Sequence, residues 1–163
     1  MTTTTPKTFY TPTGWAGPRY NRDLRVKDIA GIIRDYVKAT YPDCKFSIVT
    51  RHHTSISVSL MSAPFDVFST PDADKIPLSR VGDVDSIMSH WASLPSKGHI
   101  GVNHYYINDA FMLTDKARSV MSDVYRFMNS FNYDDSDIMT DYFDTNFYTD
   151  MSIGKWDKPF IRK

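Results

Sequence analysis

Glutamate and glutamine are both absent from this chain of 163 residues, and all nineteen acidic side chains are aspartate. Any mechanism that needs a glutamate base is thereby excluded. The helices also lose two good formers, so they must lean on tertiary packing more than on propensity. The one cysteine, Cys44, rules out an internal disulfide and a cysteine-rich zinc site. Nowhere do eighteen apolar residues run together, so no segment reads as a membrane span. The first dozen residues, with six Thr and two Pro, lack the apolar core of a secretory signal. These absences set the expectation of a soluble, intracellular protein without a membrane partner.

What is present suits one folded domain. Hydrophobic residues make up 41% and aromatics 14%, more than a disordered chain carries. Residues 1–19 are expected to be a flexible arm and 20–163 a single α+β domain. The nineteen Lys/Arg are unevenly spread: residues 1–51 hold nine of them against four Asp, and the remainder is net acidic. That gradient is too mild to demand nucleic acid.

Periodicity predicts the elements. Val26, Ile29, Ala30, Ile33, Tyr36 and Val37 recur as one stripe of a helix over 26–40, with Asp23 as a nearby cap and Pro42 beyond its end. Phe46 and Ile48, then Ile56, Val58 and Leu60, alternate with polar neighbours and predict an antiparallel hairpin with a serine-lined face. Residues 61–80 read mainly as loop, and a short helix runs from Asp83 to just before Pro95. Residues 99–107 are expected to be a strand. Thr114 caps the best helix, 115–131, whose stripe is Ala117, Val120, Met121, Val124, Met128 and Phe131. Phe147, Thr149, Met151 and Ile153 mark a last strand, with Trp156 to Lys163 as a tail. The expected architecture is an α+β domain: an antiparallel sheet of about four strands, two main helices packed on one face, and one short extra helix.

The chain offers no catalytic motif. It has no Gly-x-Ser-x-Gly elbow, no Walker loop and no Gly-x-Gly-x-x-Gly. His52 and His53 would point to opposite faces of an extended chain, as would His99 and His104, so no histidine metal site is expected. Asp137, Asp141 and Asp144 would share one side if residues 136–144 made a helical turn; capping and salt-bridging, a cation or a partner would each account for them. Asp43-Cys44-Lys45 is half of a metal-dependent nuclease signature, with no further acid fixed by spacing. Tyr105, Tyr106, Tyr142, Phe143, Phe147 and Tyr148 exceed what one sheet face needs and suit stacking. No cofactor and no enzymatic activity are expected.

Two blocks carry a family likeness. One is Asp28-Ile-Ala-Gly-Ile-Ile-Arg-Asp-Tyr-Val-Lys38 followed by Tyr41-Pro-Asp-Cys-Lys-Phe-Ser47 and Ser55-Ile-Ser-Val58. The other is Asn132-Tyr-Asp-Asp-Ser-Asp137 with Asp141-Tyr-Phe-Asp144 and Phe147-Tyr148. Together they resemble the type 29 large polyvalent protein-associated domain over most of residues 20–155, leaving 62–98 unmatched. The resemblance implies a phage or conjugative-element accessory protein in a bacterial cytoplasm, and no catalytic residues come with it. The resulting expectation is a non-catalytic counter-defence protein that binds a host effector or its nucleotide signal through Arg51, His52, His53, Tyr105, Tyr106, Asp137, Asp141, Tyr142, Asp144 and Tyr148. The alternative is nucleic-acid binding by Lys27, Arg34, Lys38, Lys45 and Arg51; a metal-dependent nuclease or hydrolase using the aspartates comes third. A homodimer is compatible with either binding reading.

Overall fold

The computed structural model describes residues 7–163. Three helices, α1 (Val26–Thr40), α2 (Val84–Lys97) and α3 (Asp115–Asn129), accompany seven strands. The strands are β1 (Trp15–Ala16), β2 (Lys45–Arg51), β3 (Ser55–Ala63), β4 (Ile100–Val102), β5 (Tyr133–Asp134), β6 (Tyr148–Ile153) and β7 (Ile161–Arg162). Among the described residues, no helix is long and apolar enough to cross a membrane.

The α+β class holds, but the sheet differs from the expected one. It has five strands and is mixed: β2 pairs β3 antiparallel, β6 runs parallel to β3, β4 pairs β6 antiparallel, and β7 joins the end of β3 in parallel. A parallel neighbour needs a long crossover. Here α2, α3 and their loops supply it between β3 and β6. Alternation along β6 reports which face is buried and carries no information on strand direction.

One face of the sheet is covered. Ile56, Val58 and Leu60 of β3 meet Ile29 and Ile33 of α1 and Met121, Val124 and Met128 of α3 in one core. A polar clamp joins the two helices: the hydroxyls of Tyr36 and Tyr41 donate to the Asp123 carboxylate at 2.7 and 2.6 Å. Tyr36 also stacks on Phe127, with ring centroids 3.8 Å apart. Burial, with Asp123 beside them, pushes both phenols above the usual tyrosine value.

The helix ends follow from capping chemistry. Thr114 caps α3 as expected, accepting from the Ala117 N–H at 3.2 Å. At α1 the cap is Arg25, not Asp23, and Asp28 reaches back to the Arg25 N–H at 2.9 Å, the position where glutamate serves in a capping box. Helix α2 does not stop before Pro95 but carries it in its last turn and ends at Gly98, whose φ is 65°. The strand expected over 99–107 breaks after Val102. The Asn103 side chain accepts from the Tyr105 N–H at 3.0 Å and starts a 3-10 turn over His104–Asp109. The tail expected beyond Trp156 returns to the sheet as β7.

Two further regions depart from expectation. Within 61–80, β3 continues to Ala63, and short 3-10 turns form at Ala73–Lys75 and Leu78–Asp83. Ile76, Ile87, Trp91 and Leu94 build a second, smaller core, and the Trp91 indole N–H donates to the Ser69 carbonyl at 2.8 Å. Residues 1–6 of the expected arm lie outside the described residues; the remainder docks on the body. Trp15–Ala16 pairs with Tyr133–Asp134, and the Gly17 N–H donates to the Asn132 carbonyl at 2.8 Å. A Cβ at Gly17 would collide with the Ser130 backbone, so glycine permits this approach.

Candidate functional site

The hairpin tip places His52 and His53 in a tight turn, not on extended chain. Both have left-handed φ, 52° and 58°, and the Thr54 N–H closes the turn onto the Arg51 carbonyl at 3.1 Å. This mirror-image turn matches the twist of the flanking strands. For non-glycine residues it costs roughly 1–2 kcal/mol each. Both imidazoles are exposed, beside Arg51.

The aspartates expected on one side of a helical turn are distributed otherwise. Residues Ile138–Thr140 form a 3-10 turn capped by Asp137, which accepts from the Met139 N–H at 3.0 Å. Asp141 takes left-handed φ at the turn's end, and Asp144 accepts from the Tyr133 hydroxyl at 2.8 Å with Lys7 at 3.9 Å. Short polar side chains favour such local turns over a regular helix. Among the described residues, no three His, Cys or Asp side chains gather as metal ligands.

Sequence reasoning missed Asp135, the one almost fully buried carboxylate among the described residues. It accepts from the Tyr10 N–H at 2.5 Å and from the Thr11 N–H and hydroxyl at 2.8 and 2.7 Å, tying the N-terminal segment to the 131–148 region. Burial alone would push its carboxyl up. The bonds from Thr11 and Tyr10, with the charge of Lys7, outweigh burial and hold it below the ordinary aspartate value. Its neighbours Asp134 and Asp137 have the same sequence character, so only the fold distinguishes it.

The expected tyrosines separate. Tyr105 and Tyr148 line a groove of about 300 Å³ with Trp15, Ile138 and Phe143. Tyr105 is 77% exposed and Ile138 78%, while Phe147 is buried in the core. At the floor of this groove the His104 ring lies 4.1 Å from Tyr105 and 5.0 Å from Tyr125. Burial lowers the His104 imidazole below its usual value, against the opposing charge of Asp150. Tyr106 faces elsewhere, onto a groove of about 380 Å³ with Arg80, His90 and Phe111.

The basic residues also separate. Lys27, Lys38 and Lys45 are exposed. Arg34 is exposed as well, but it folds over β2 and donates to the Ile48 carbonyl from Nη2 at 2.8 Å and Nε at 3.2 Å, satisfying a backbone acceptor on an edge strand. Arg51 points to the helix-free face of the sheet, where it lines a third groove of about 290 Å³ with Ser57, Ser59, Asp150, Lys155 and Trp156.

A family model described as large polyvalent protein associated domain 29 matches residues 24–108. The matched stretch includes the 62–98 segment and stops short of the Asn132–Tyr148 block. No curated protein and no solved structure matches the chain. With more than half of its length matched, from the start of α1 through the turn after β4, the chain belongs to the large polyvalent protein associated domain 29 family, a group associated with bacteriophages and other mobile elements.

Proposed function

We propose that this protein is a non-catalytic binding protein that counters host defence by docking onto a host effector protein with a basic surface. The single observation that carries the reading is the apolar surface around the Ile138–Thr140 turn. Trp15, Tyr105, Ile138, Phe143 and Tyr148 all stand partly or largely exposed around one groove, and Met139, next to Ile138 in the chain, is exposed as well. Rigid aromatic side chains gathered in this way are the usual anchors of protein interfaces, and scattered exposure of single residues would not be. Asp134, Asp137, Asp141 and Asp144 punctuate the same loop, so a partner carrying Lys or Arg at its rim would be favoured over an acidic one. Membership of a mobile-element family supports a host target.

The test is a double variant, Tyr105→Ala with Phe143→Ala, examined in a host that carries an active defence system. Wild-type protein should raise establishment of an incoming phage or plasmid. The variant should lose that effect and the co-purifying effector while keeping its melting temperature. Full activity in the folded variant would refute this surface as the docking site.

A further inference from the structure

The groove on the helix-free face of the sheet has a chemistry of its own, apart from the aromatic surface. Ser57 and Ser59 of β3 form its floor with Ser152 of β6, and Arg51, His99, Asp150, Lys155 and Asp157 surround it. The ion pairs among the described residues are Lys7–Asp144, Arg118–Asp115 and Arg162–Asp66, and none involves these five side chains. Charges of both signs therefore converge on one depression without neutralising one another. Lys155 is held in place instead by the Ser47 hydroxyl, 2.8 Å from its Nζ. Arg51 stands on the same face of β2 as Ser47, four residues along, or roughly 13 Å at strand spacing. The two cations thus mark opposite ends of the groove.

Three features narrow the ligand. Trp156, beside Lys155, is 85% exposed and presents an indole against which a planar ring can stack. The carboxylates of Asp150 and Asp157 would repel a bare anion but accept from amino and hydroxyl groups. Gly101, opposite Ser152 on β4, leaves open space: a Cβ added there would meet nothing within 4 Å. The geometry points to a free nucleotide, a ligand that combines a phosphate for Arg51 or Lys155, hydroxyls for the serines, a ring for Trp156 and N–H donors for the aspartates. A volume of about 290 Å³ lies at the lower end of small-molecule sites and matches a mononucleotide better than anything larger.

Calorimetric titration of the full chain with each ribonucleoside 5′-monophosphate, with inorganic phosphate and with a short single-stranded oligonucleotide tests the assignment. At least one mononucleotide should saturate with Kd below about 1 mM, and inorganic phosphate should bind roughly tenfold or more weakly. Gly101→Phe puts a ring into the groove from a position where a Cβ meets nothing within 4 Å, so it should keep the melting temperature and lose about tenfold or more in affinity. Arg51→Ala should weaken binding in the same direction. The Tyr105→Ala, Phe143→Ala protein should retain nucleotide binding, which separates this site from the docking surface. Absence of saturation with every mononucleotide overturns the inference, as does undiminished affinity in folded Gly101→Phe. Tighter binding of the oligonucleotide than of any mononucleotide would also overturn it, reassigning the groove to a nucleic-acid strand.

Discussion

Strand β3 has two faces that are almost equally shielded from water and chemically opposite. Ile56, Val58 and Leu60 are covered by α1 and α3, whereas Ser57 and Ser59 are flanked by side chains of β2, β6 and the 155–157 segment and by no helix. On the first face large side chains fill space. On the second, small hydroxyls leave it, and Ser59 and Ser152 satisfy each other at 2.8 Å while Ser152 donates onward to the Gly154 carbonyl at 2.7 Å. Low exposure thus has two meanings in one strand: close packing beneath the helices, and a narrow polar floor beneath a groove. The first holds the fold together, and the second leaves room for a ligand.

The largest test of that contrast removes volume from each face. Leu60→Ala should cost about 2–5 kcal/mol in urea unfolding, since the helices cannot collapse fully onto the cavity. Ser59→Ala should cost about 1 kcal/mol or less, the worth of one exchanged hydrogen bond. Equal losses would mean that the serine face also carries stability, and the contrast would fail.

The polar clamp on the covered side comes next. Asp123→Ala removes two hydrogen bonds to a half-buried carboxylate and should cost about 2 kcal/mol. Tyr36→Phe and Tyr41→Phe should each cost less, and their sum need not match the aspartate variant because they share an acceptor. Since both phenols lie above their ordinary value of 10.0, their contribution is complete below pH 10 and is lost as pH rises through the folded-state values. Alkaline unfolding that is unchanged in the Tyr36→Phe, Tyr41→Phe protein would remove this assignment.

Smaller effects follow from acid titration. Asp135 lies below its ordinary value of 3.8, so its contribution is complete above that pH and is lost as pH falls through the lower folded-state value. Proteolysis within residues 7–19 should therefore accelerate in strong acid, and Asp135→Asn should show fast cleavage already at neutral pH. His104 is depressed from 6.5, so the fold carries this cost only once the ring must charge: stability should decline modestly as pH falls below 6.5. Asp150, on the groove side of β6, opposes that depression. Asp150→Asn should make the decline steeper, and an unchanged pH profile of melting temperature would show that the two sides of β6 are electrostatically independent.

Much of the local architecture was legible from residue spacing. The apolar stripe of α1 and the cap of α3 mark elements that stand where the sequence predicts them, because burial of one helical face is a local pattern read at 3.6 residues per turn. The serine face was legible too, as alternation. The errors fall where a choice depended on distant partners. The 99–107 strand yields to an Asn103 cap although β6 runs on to Tyr148, and α2 continues through Pro95 to a left-handed Gly98. The segment from Tyr10 to Arg19 orders only because Asp135, Asn132 and Ser130, more than a hundred residues away, supply its acceptors.

The candidate sites divide in the same way. Arg51 and the exposed tyrosines were visible as residue types, yet His99, Gly101, Lys155 and Trp156 come from two separate stretches and carry no shared spacing. The sequence by itself determined the class of elements, the covered face of the sheet and the family, since each depends on short-range period or on motif. The parallel return of β6, the burial of Asp135 among five clustered aspartates and the convergence of unpaired charges over the serines were decided by tertiary structure alone. Strand direction, burial and electrostatic pairing depend on which surfaces meet, and a one-dimensional pattern does not contain that information.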